Sequence, residues 1–218
     1  MRDLLPSAVA VAVAGPADWS DDLLPAERAA LSDRAVPSRR REFTAGRVCA
    51  RRALAALGLP VTPVPAGADR APIWPAGVVG AITHTHGYCA AAVARAADLR
   101  AVGIDAEQHR PLPEGVRRKV CCPDEEADLA RLPAGPQWPT VLFSAKEAVY
   151  KVWHPLVGTW LGFPDARVTL DPDAGTFRAD IAPARLAAAP VSAPPASVTG
   201  RFAVDGALVR TAAVLLHR

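Results

Sequence analysis

The segment from Phe143 to Trp153 carries the side chains best suited to chemistry. At 100° per residue it predicts a half-buried helix with Lys146, Glu147 and Lys151 on its polar face. Glu147 and Lys151 are four residues apart, so their side chains would be neighbours. An ion pair on a solvated helix would explain those two residues alone, but the flanking aromatic residues are unusual for a face that meets only water. The inward face would hold Ala145, Ala148, Val149 and Val152.

A second acidic group lies upstream, where residues 100–107 read as a strand. Asp105 and Glu107 are two residues apart and therefore point to the same side of that strand. Two carboxylates on one face repel each other by about 1 kcal/mol or more unless a cation or a proton lies between them. Mg²⁺ binds one or two carboxylates and completes its shell with water and substrate phosphate. The pattern favours a Mg²⁺ site, with an exposed strand end as the alternative.

Basic residues gather near the start of a helix predicted over residues 39–57, for which Ser38 is a suitable N-cap. Arg39 lies at the helix start, and further arginines, including Arg47, run beside its apolar stripe. Such arginines can hold a phosphate through bidentate hydrogen bonds, although a solvated basic face is the alternative. His84 lies near the turn between two predicted strands, residues 78–83 and 88–94, and is a candidate phosphate donor. Zinc binding by His84 and His86 is less favoured.

The composition places limits on the class of protein. The 218 residues carry a formal charge of +3, with 50% hydrophobic and 22% charged residues, which indicates a soluble globular protein. The chain lacks the dense basic stripe of a nucleic-acid-binding protein. No apolar stretch is long enough to span a bilayer. The four cysteines lack metal-ligand spacing, which predicts free thiols in a reducing cytoplasm.

The remaining pattern favours short antiparallel strands packed with helices, that is, an α/β (α+β) fold. Residues 108–139 are rich in loops, with a short acidic helix over residues 123–131. Two hairpins follow, over residues 167–181 and 199–216. No GxGxxG or Walker sequence is present, which argues against Rossmann and P-loop enzymes.

Two sequence blocks together resemble the paired signature of the 4′-phosphopantetheinyl transferase superfamily. The first block is Val102-Gly103-Ile104-Asp105 followed by Glu107, and the second is Phe143-Ser144-Ala145-Lys146-Glu147-Ala148-Val149-Tyr150-Lys151. The chain is most similar to the enterobactin-synthetase-component and mycobacterial-type members of the surfactin-type class. The resemblance extends over residues 37–214 and includes the stretches 39–47, 74–84 and 160–163.

The resemblance implies a monomer of two similar subdomains related by a pseudo-twofold axis, each a small, mainly antiparallel sheet packed with helices. Residues 1–102 would form the N-terminal subdomain and carry the nucleotide-side residues. Residues 103–218 would form the C-terminal subdomain and carry the metal and catalytic residues. The active site would lie in the cleft between them.

The resemblance also implies a reaction. The 4′-phosphopantetheine group of coenzyme A would be transferred to a serine of acyl or peptidyl carrier proteins, with release of 3′,5′-ADP. Such carriers serve polyketide, nonribosomal-peptide and fatty-acid synthesis. The reaction would depend on Mg²⁺, with Mn²⁺ as a substitute. A metal-dependent nucleotide pyrophosphohydrolase, which shares every carboxylate, is the alternative function.

Individual residues take their implied roles from matching positions in the family signature. Glu147, Lys151 and Lys146 would be catalytic, with Glu147 or a water that it holds as the base for the carrier serine. The metal ligands would be Asp105, Glu107 and Glu147. The residues that bind coenzyme A would be Arg39, Arg47, Arg70, Thr83, His84, Lys146 and Lys151, with the two lysines near the pyrophosphate and Arg39, Arg47 and His84 at the adenosine 3′-phosphate.

Carrier proteins are usually acidic around the modified serine. The basic run Arg117-Arg118-Lys119 is therefore a candidate surface for carrier docking, an interpretation that rests on charge alone.

Overall fold

A computed structural model of the chain describes residues 1–20 and 22–217. Its strands are β1 (Ala10–Val13), β2 (Val78–Thr85), β3 (Tyr88–Arg95), β4 (Ala101–Gln108), β5 (Ala166–Asp171), β6 (Thr176–Ile181), β7 (Ser197–Asp205) and β8 (Leu208–Leu215). Its α-helices are α1 (Pro25–Ala29), α2 (Pro37–Ala56), α3 (Glu114–Val120), α4 (Pro123–Leu129), α5 (Trp138–Val157) and α6 (Pro183–Ala187).

The strands form two sheets. One has three strands in the order β1-β3-β2, all paired antiparallel. The other has five strands in the order β4-β8-β7-β6-β5, in which β5 to β8 pair antiparallel in succession. Helices pack on these sheets, so the predicted α+β class, with antiparallel sheets covered by helices, is confirmed.

The chain divides into two compact units, made mainly of Pro6–Val102 and Gly103–Leu215. In the first unit α2 packs on β3 and β1. Alanines and cysteines dominate its core, and their small side chains allow the helix to approach the sheet closely. This core contains Ala10, Ala45, Cys49, Ala50, Ala53, Leu54, Val64, Cys89, Ala91 and Val93.

In the second unit the long helix α5 packs on β8. The four residues predicted for its inward face, Ala145, Ala148, Val149 and Val152, have no exposed surface, which confirms that face. The helix ends at Gly158, whose φ of 73° is the left-handed conformation that favours glycine at a C-cap.

Gly103 lets β4 pass directly against α5. A Cβ atom at this position would lie 2.0 Å from the backbone oxygen of Ala148. Only glycine permits this approach, because any side chain would overlap the helix backbone. The contact brings the residues that follow Gly103 in β4 up to the polar side chains of α5.

The basic run at residues 117–119 is helical, whereas the sequence predicts a loop-rich region there. It belongs to α3, which begins at Glu114 and ends at Val120. An acidic residue in the first turn, Glu114, and basic residues in the last turn both interact favourably with the helix dipole. This charge pattern is a local sequence signal of a helix. Within residues 1–20 and 22–217, no helix combines the length and the apolar character that a bilayer crossing would require.

Candidate functional site

Asp105 on β4 is held by two side chains of α5. Its Oδ1 accepts a hydrogen bond from Lys151 Nζ at 2.8 Å, and its Oδ2 accepts one from Ser144 Oγ at 2.8 Å. Lys151 Nζ also donates to the backbone oxygen of Ile104 at 2.9 Å. The Asp105 carboxylate is buried and fixed at both oxygens, a position that depends on the close contact at Gly103.

Glu107 and Glu147 lie within electrostatic reach of Asp105. Burial, followed by the charge of Asp105, raises the pKa of Glu107 to about 7. The same two causes raise the pKa of Glu147. Lys151 acts in the opposite direction on both groups but does not cancel the effect. The structure therefore brings three carboxylates within electrostatic reach of one another, and Lys151, with Arg110 acting on Glu107, does not offset their negative charge.

The donor atoms of this cluster suit a hard divalent cation. Carboxylate oxygens are the ligands that Mg²⁺ prefers, and a cation would relieve the repulsion that raises the two glutamate pKa values. In the described part of the chain, no three His, Cys, Asp or Glu side chains already stand in metal-ligand geometry. The fit thus rests on donor chemistry and charge, with Asp105, Glu107 and Glu147 as the residues that could hold the ion.

Lys146 lies apart from this cluster, in the interior of the same unit. Its Nζ donates to Glu125 Oε2 at 2.7 Å and to the backbone oxygens of Val120 and Phe163 at 2.8 and 2.9 Å. Its side chain is 2% exposed, so the prediction that Lys146 lies on the exposed face of the helix is wrong. Residues 146 and 147 are adjacent and lie 100° apart around α5, which turns Lys146 away from Glu147. The predicted role of Lys146 at a pyrophosphate gains no support from these contacts.

Glu125 has no exposed surface and accepts more than the Lys146 ammonium. The N–H of Cys122 donates to its Oε2 at 2.9 Å, and the N–H of Val168 donates to its Oε1 at 2.8 Å. This carboxylate ties α4 and β5 to α5. The sequence offered one signal for it, a capping-box glutamate two residues after Pro123.

The first unit carries the other predicted cluster. Arg39 Nη1 lies 3.3 Å from His84 Nε2, and Glu42 lies 3.9 Å from Arg39 and 3.7 Å from His84 Nδ1. Arg39 and His84 are both substantially exposed. The start of α2 and the end of β2 therefore present a guanidinium and an imidazole side by side at the surface.

Arg47 lies beside this pair, with its guanidinium 4.0 Å from the centre of the Phe43 ring. Burial, with a smaller contribution from the charge of Arg39, lowers its pKa to about 10, although the charge of Glu27 opposes the shift. The side chain therefore stays protonated at neutral pH. Its Nε is buried and has no hydrogen-bond acceptor among the described residues. Such an atom is costly unless an acceptor reaches it.

The other two predicted residues of this unit occupy different settings. Thr83 is buried on β2, one residue before His84. Arg70 is exposed in the loop before β2 and has a φ of 68°, an unusual conformation for a residue with a side chain.

An aromatic group continues the Glu147 face of α5 and was not assigned a role from the sequence. The Tyr150 ring lies 5.3 Å from His154 and 5.1 Å from Trp160, measured between centroids. Trp160 is 67% exposed. A tryptophan this exposed is uncommon and indicates a surface that binds something apolar or planar.

Comparison with known proteins identifies the family. Residues 26–94 match the 4′-phosphopantetheinyl transferase N-terminal domain, and residues 101–196 match the 4′-phosphopantetheinyl transferase superfamily. The chain belongs to the 4′-phosphopantetheinyl transferase superfamily, as its two sequence blocks predict.

Three relatives illustrate the likeness. The chain is 52% identical over 168 residues to the 4′-phosphopantetheinyl transferase Svp of Streptomyces mobaraensis, an alignment that covers 74% of this chain and 68% of the relative. It is 45% identical over 195 residues to the 4′-phosphopantetheinyl transferase PptT of Mycobacterium tuberculosis, covering 87% of this chain and 85% of the relative. Enterobactin synthase component D of Salmonella typhimurium is 36% identical to the chain over 136 residues, an alignment that covers 60% of this chain and 55% of the relative.

Proposed function

We propose that this chain transfers 4′-phosphopantetheine from coenzyme A to a serine of a carrier protein and releases 3′,5′-ADP. The observation that carries the proposal is the fixed carboxylate of Asp105, flanked by Glu107 and Glu147, in a member of this superfamily. Relatives that are named 4′-phosphopantetheinyl transferases share about half of its residues over most of its length. The activity in their names fits the chemistry of this cluster.

Glu147 is the proposed base. A serine hydroxyl is a weak nucleophile and needs a group that accepts its proton. Burial, the larger cause of the raised pKa of Glu147, favours the protonated carboxyl and so makes Glu147 a better proton acceptor than an exposed glutamate. The serine oxygen attacks the phosphorus that bears the pantetheine arm, the bond to the second phosphate breaks, and the hydroxyl proton passes to Glu147 or to a water that it holds.

Asp105, Glu107 and Glu147 would hold Mg²⁺, or Mn²⁺ in its place. Bound there, the cation would supply neutralising charge to the pyrophosphate oxygens of coenzyme A. Lys151 would add a second positive charge, since its ammonium is partly exposed and already lies against Asp105. Electrostatic stabilisation of this kind dominates phosphoryl transfer, in which the protein contributes mainly positioning and charge.

Arg39, Arg47 and His84 would bind the adenosine 3′-phosphate. A phosphate in contact with Arg39 and His84 would receive hydrogen bonds from both, and the buried Nε of Arg47 offers a further donor. Thr83 and Arg70 are assigned to the same nucleotide by family position alone.

The exposed aromatic group would take the pantetheine arm. Tyr150 and His154 lie about one and two turns after Glu147 on α5, and Trp160 lies just after the end of this helix. The pantetheine arm carries amide and methyl groups without charge, which suit contact with aromatic faces.

Carrier proteins of polyketide, nonribosomal-peptide or fatty-acid synthesis are the proposed partners, and the cytoplasm is the proposed location. Arg118 and Lys119 on α3 are the cations that would meet an acidic carrier. Arg117 is engaged by both oxygens of Glu126, whereas Arg118 forms a long, exposed ion pair with Glu114 at 3.7 Å. No nucleic-acid partner, membrane or second copy of the chain enters this proposal.

Intact-mass measurement of an apo carrier protein tests the function. Incubation with the protein, coenzyme A and Mg²⁺ is expected to add one phosphopantetheine group to the carrier. A carrier whose acceptor serine is replaced by alanine serves as the matched control and should keep its mass. A wild-type carrier that keeps its mass while coenzyme A is consumed would identify a pyrophosphohydrolase instead.

A further inference from the structure

Thr211 on β8 lies behind the residues that hold Asp105. It has no exposed surface, and neither has Ser144. Thr211 Oγ1 lies 2.9 Å from Ser144 Oγ and donates to the backbone oxygen of Ser144 at 2.9 Å. Ser144 Oγ in turn donates to Asp105 Oδ2 at 2.8 Å. The three side chains form a continuous buried chain from β8 through α5 to β4.

Each hydroxyl in this chain has one proton, which limits the hydrogen bonds that it can donate. The Ser144 proton goes to Asp105, because a bond to a carboxylate is the stronger choice. Ser144 Oγ is then free to accept, and the Thr211 hydroxyl, shared between Ser144 Oγ and its backbone oxygen, is the group placed to donate to it. The Ser144 hydroxyl therefore has its rotamer fixed from behind by Thr211.

We infer that Thr211 is a positioning residue for the metal site, acting through Ser144 on the carboxylate of Asp105. Without Thr211 the Ser144 hydroxyl could rotate, and Oδ2 of Asp105 would lose its fixed donor. The hydrogen bond from Ser144 to Oδ2 would then no longer help Lys151, at Oδ1, to hold the carboxylate in place. Partners that orient a ligand in this way commonly change metal affinity 10- to 100-fold.

Thr211 lies outside the residues matched by the superfamily, which end at 196, and outside both sequence blocks. It is 67 residues beyond Ser144 in the sequence, in the last strand of the sheet's final hairpin. Only the pairing of β8 beside β4 and the packing of α5 on β8 bring it to the site.

The inference rests on the proposed role of Asp105 as a metal ligand, and calorimetric titration of the free protein with Mg²⁺ tests it without a carrier or coenzyme A. Thr211→Val keeps the shape of the side chain and removes the hydroxyl, and should weaken Mg²⁺ binding about tenfold. Thr211→Ser restores the hydroxyl and should bind Mg²⁺ within about twofold of the wild type, an effect below 0.5 kcal/mol.

Thr140→Val is the matched control. Thr140 is buried on α5 and donates one hydrogen bond to the backbone oxygen of Arg110 at 2.6 Å. Loss of this hydrogen bond should lower the melting temperature about as much as Thr211→Val does and leave Mg²⁺ affinity unchanged. If Thr140→Val weakens Mg²⁺ binding as much as Thr211→Val does, the inference about Thr211 is overturned, because the loss then reflects a general decrease in the stability of this unit.

The Ser144→Ala variant provides a second test, which remains informative if the Thr211→Val protein does not fold. It should weaken Mg²⁺ binding by itself, and adding Thr211→Val to it should cause no further loss, because the relay is already broken. Full additivity of the two losses, or a folded Thr211→Val protein that binds Mg²⁺ normally, would overturn the inference. A wild-type protein that does not bind Mg²⁺ would instead overturn the proposed metal site, and this inference with it.

Discussion

Lys146 Nζ lies 2.7 Å from Glu125 Oε2, and neither side chain is exposed by more than 2%. This pair forms a buried charge contact one residue from the proposed base, Glu147. A buried pair is costly to break, because removal of one partner leaves the other charge without compensation. The contact therefore assigns Lys146 to the interior of the protein.

Lys146→Met should lower the free energy of unfolding by about 3 to 5 kcal/mol, since the Glu125 charge would remain buried. Adding Glu125→Gln should recover part of that loss, because the amide is neutral and its oxygen can still accept a backbone N–H. Urea denaturation of the single and double variants measures both effects. A Lys146→Met protein of normal stability with impaired coenzyme A binding would restore the predicted pyrophosphate role of this lysine.

The first unit contains the same local arrangement as Lys146 and Glu125. Glu27 has no exposed surface, follows a proline at the start of α1, and accepts the N–H of Leu24, the N–H of Val64 and the guanidinium of Arg51. Glu125 likewise follows a proline and accepts two backbone N–H groups and a cation from a long helix. In both units a capping glutamate with a basic partner secures a 20-residue helix, which supports a structural role for Lys146.

Glu107→Gln should stabilise the ligand-free protein at alkaline pH. The folded-state pKa of Glu107 is about 7, above its ordinary value of 4.5, so ionisation of Glu107 opposes folding once the pH exceeds the pKa of the unfolded state. The penalty is fully present above pH 7 and absent below about pH 4.5, where both states are protonated. Thermal melts at pH 8 and pH 4.5 in the presence of a chelator should show a gain for Glu107→Gln at the higher pH only. A gain of equal size at both pH values would show that charge is not its cause.

Arg39→Ala and His84→Ala should each weaken coenzyme A binding about 10- to 100-fold, the value of one hydrogen bond to a charged group. Both variants should bind 3′-dephospho-coenzyme A as the wild type does, because that compound lacks the phosphate they would contact. Titration calorimetry with the two compounds gives the comparison, and Arg34→Ala, an exposed arginine of the same unit, is the control. Equal losses for both compounds would place the 3′-phosphate elsewhere.

Arg118→Glu with Lys119→Glu should slow the modification of an acidic carrier about tenfold at low salt and much less at high salt, as expected for electrostatic attraction. Arg178→Glu with Arg201→Glu reverses two exposed charges on β6 and β7 and is the matched control. Carrier modification rates over a salt series measure the difference. If both double variants behave alike, the carrier does not dock on α3.

Local sequence signals were enough to predict the main elements of the fold. The 3.6-residue period identified α2 and α5, and the turn glycines and alternating strands identified the hairpins of β2–β3, β5–β6 and β7–β8. The two-residue spacing of Asp105 and Glu107 on one strand also indicated that their side chains lie close together, and the charge of Asp105 raises the pKa of Glu107. Each of these features depends on neighbours in the sequence.

Features that depend on distant contacts could not be read in this way. Lys146 falls beside charged residues on a helical wheel, yet Glu125 and two backbone oxygens draw it into the interior. Thr211 has no sequence feature that sets it apart from other strand threonines, and its contact with Ser144 arises only from the packing of α5 on β8. The sequence alone gave no sign that Arg117, part of a basic run, is paired with Glu126, because this contact depends on the packing of α3 beside α4.

Release of 3′,5′-ADP from coenzyme A, measured with and without an apo carrier protein at saturating Mg²⁺, tests the proposed transfer most directly. The account predicts release only with the carrier, one molecule for each carrier serine modified, and a loss of about 100-fold or more in the Glu147→Gln protein. Release at the same rate without a carrier, or full activity in Glu147→Gln, would contradict it.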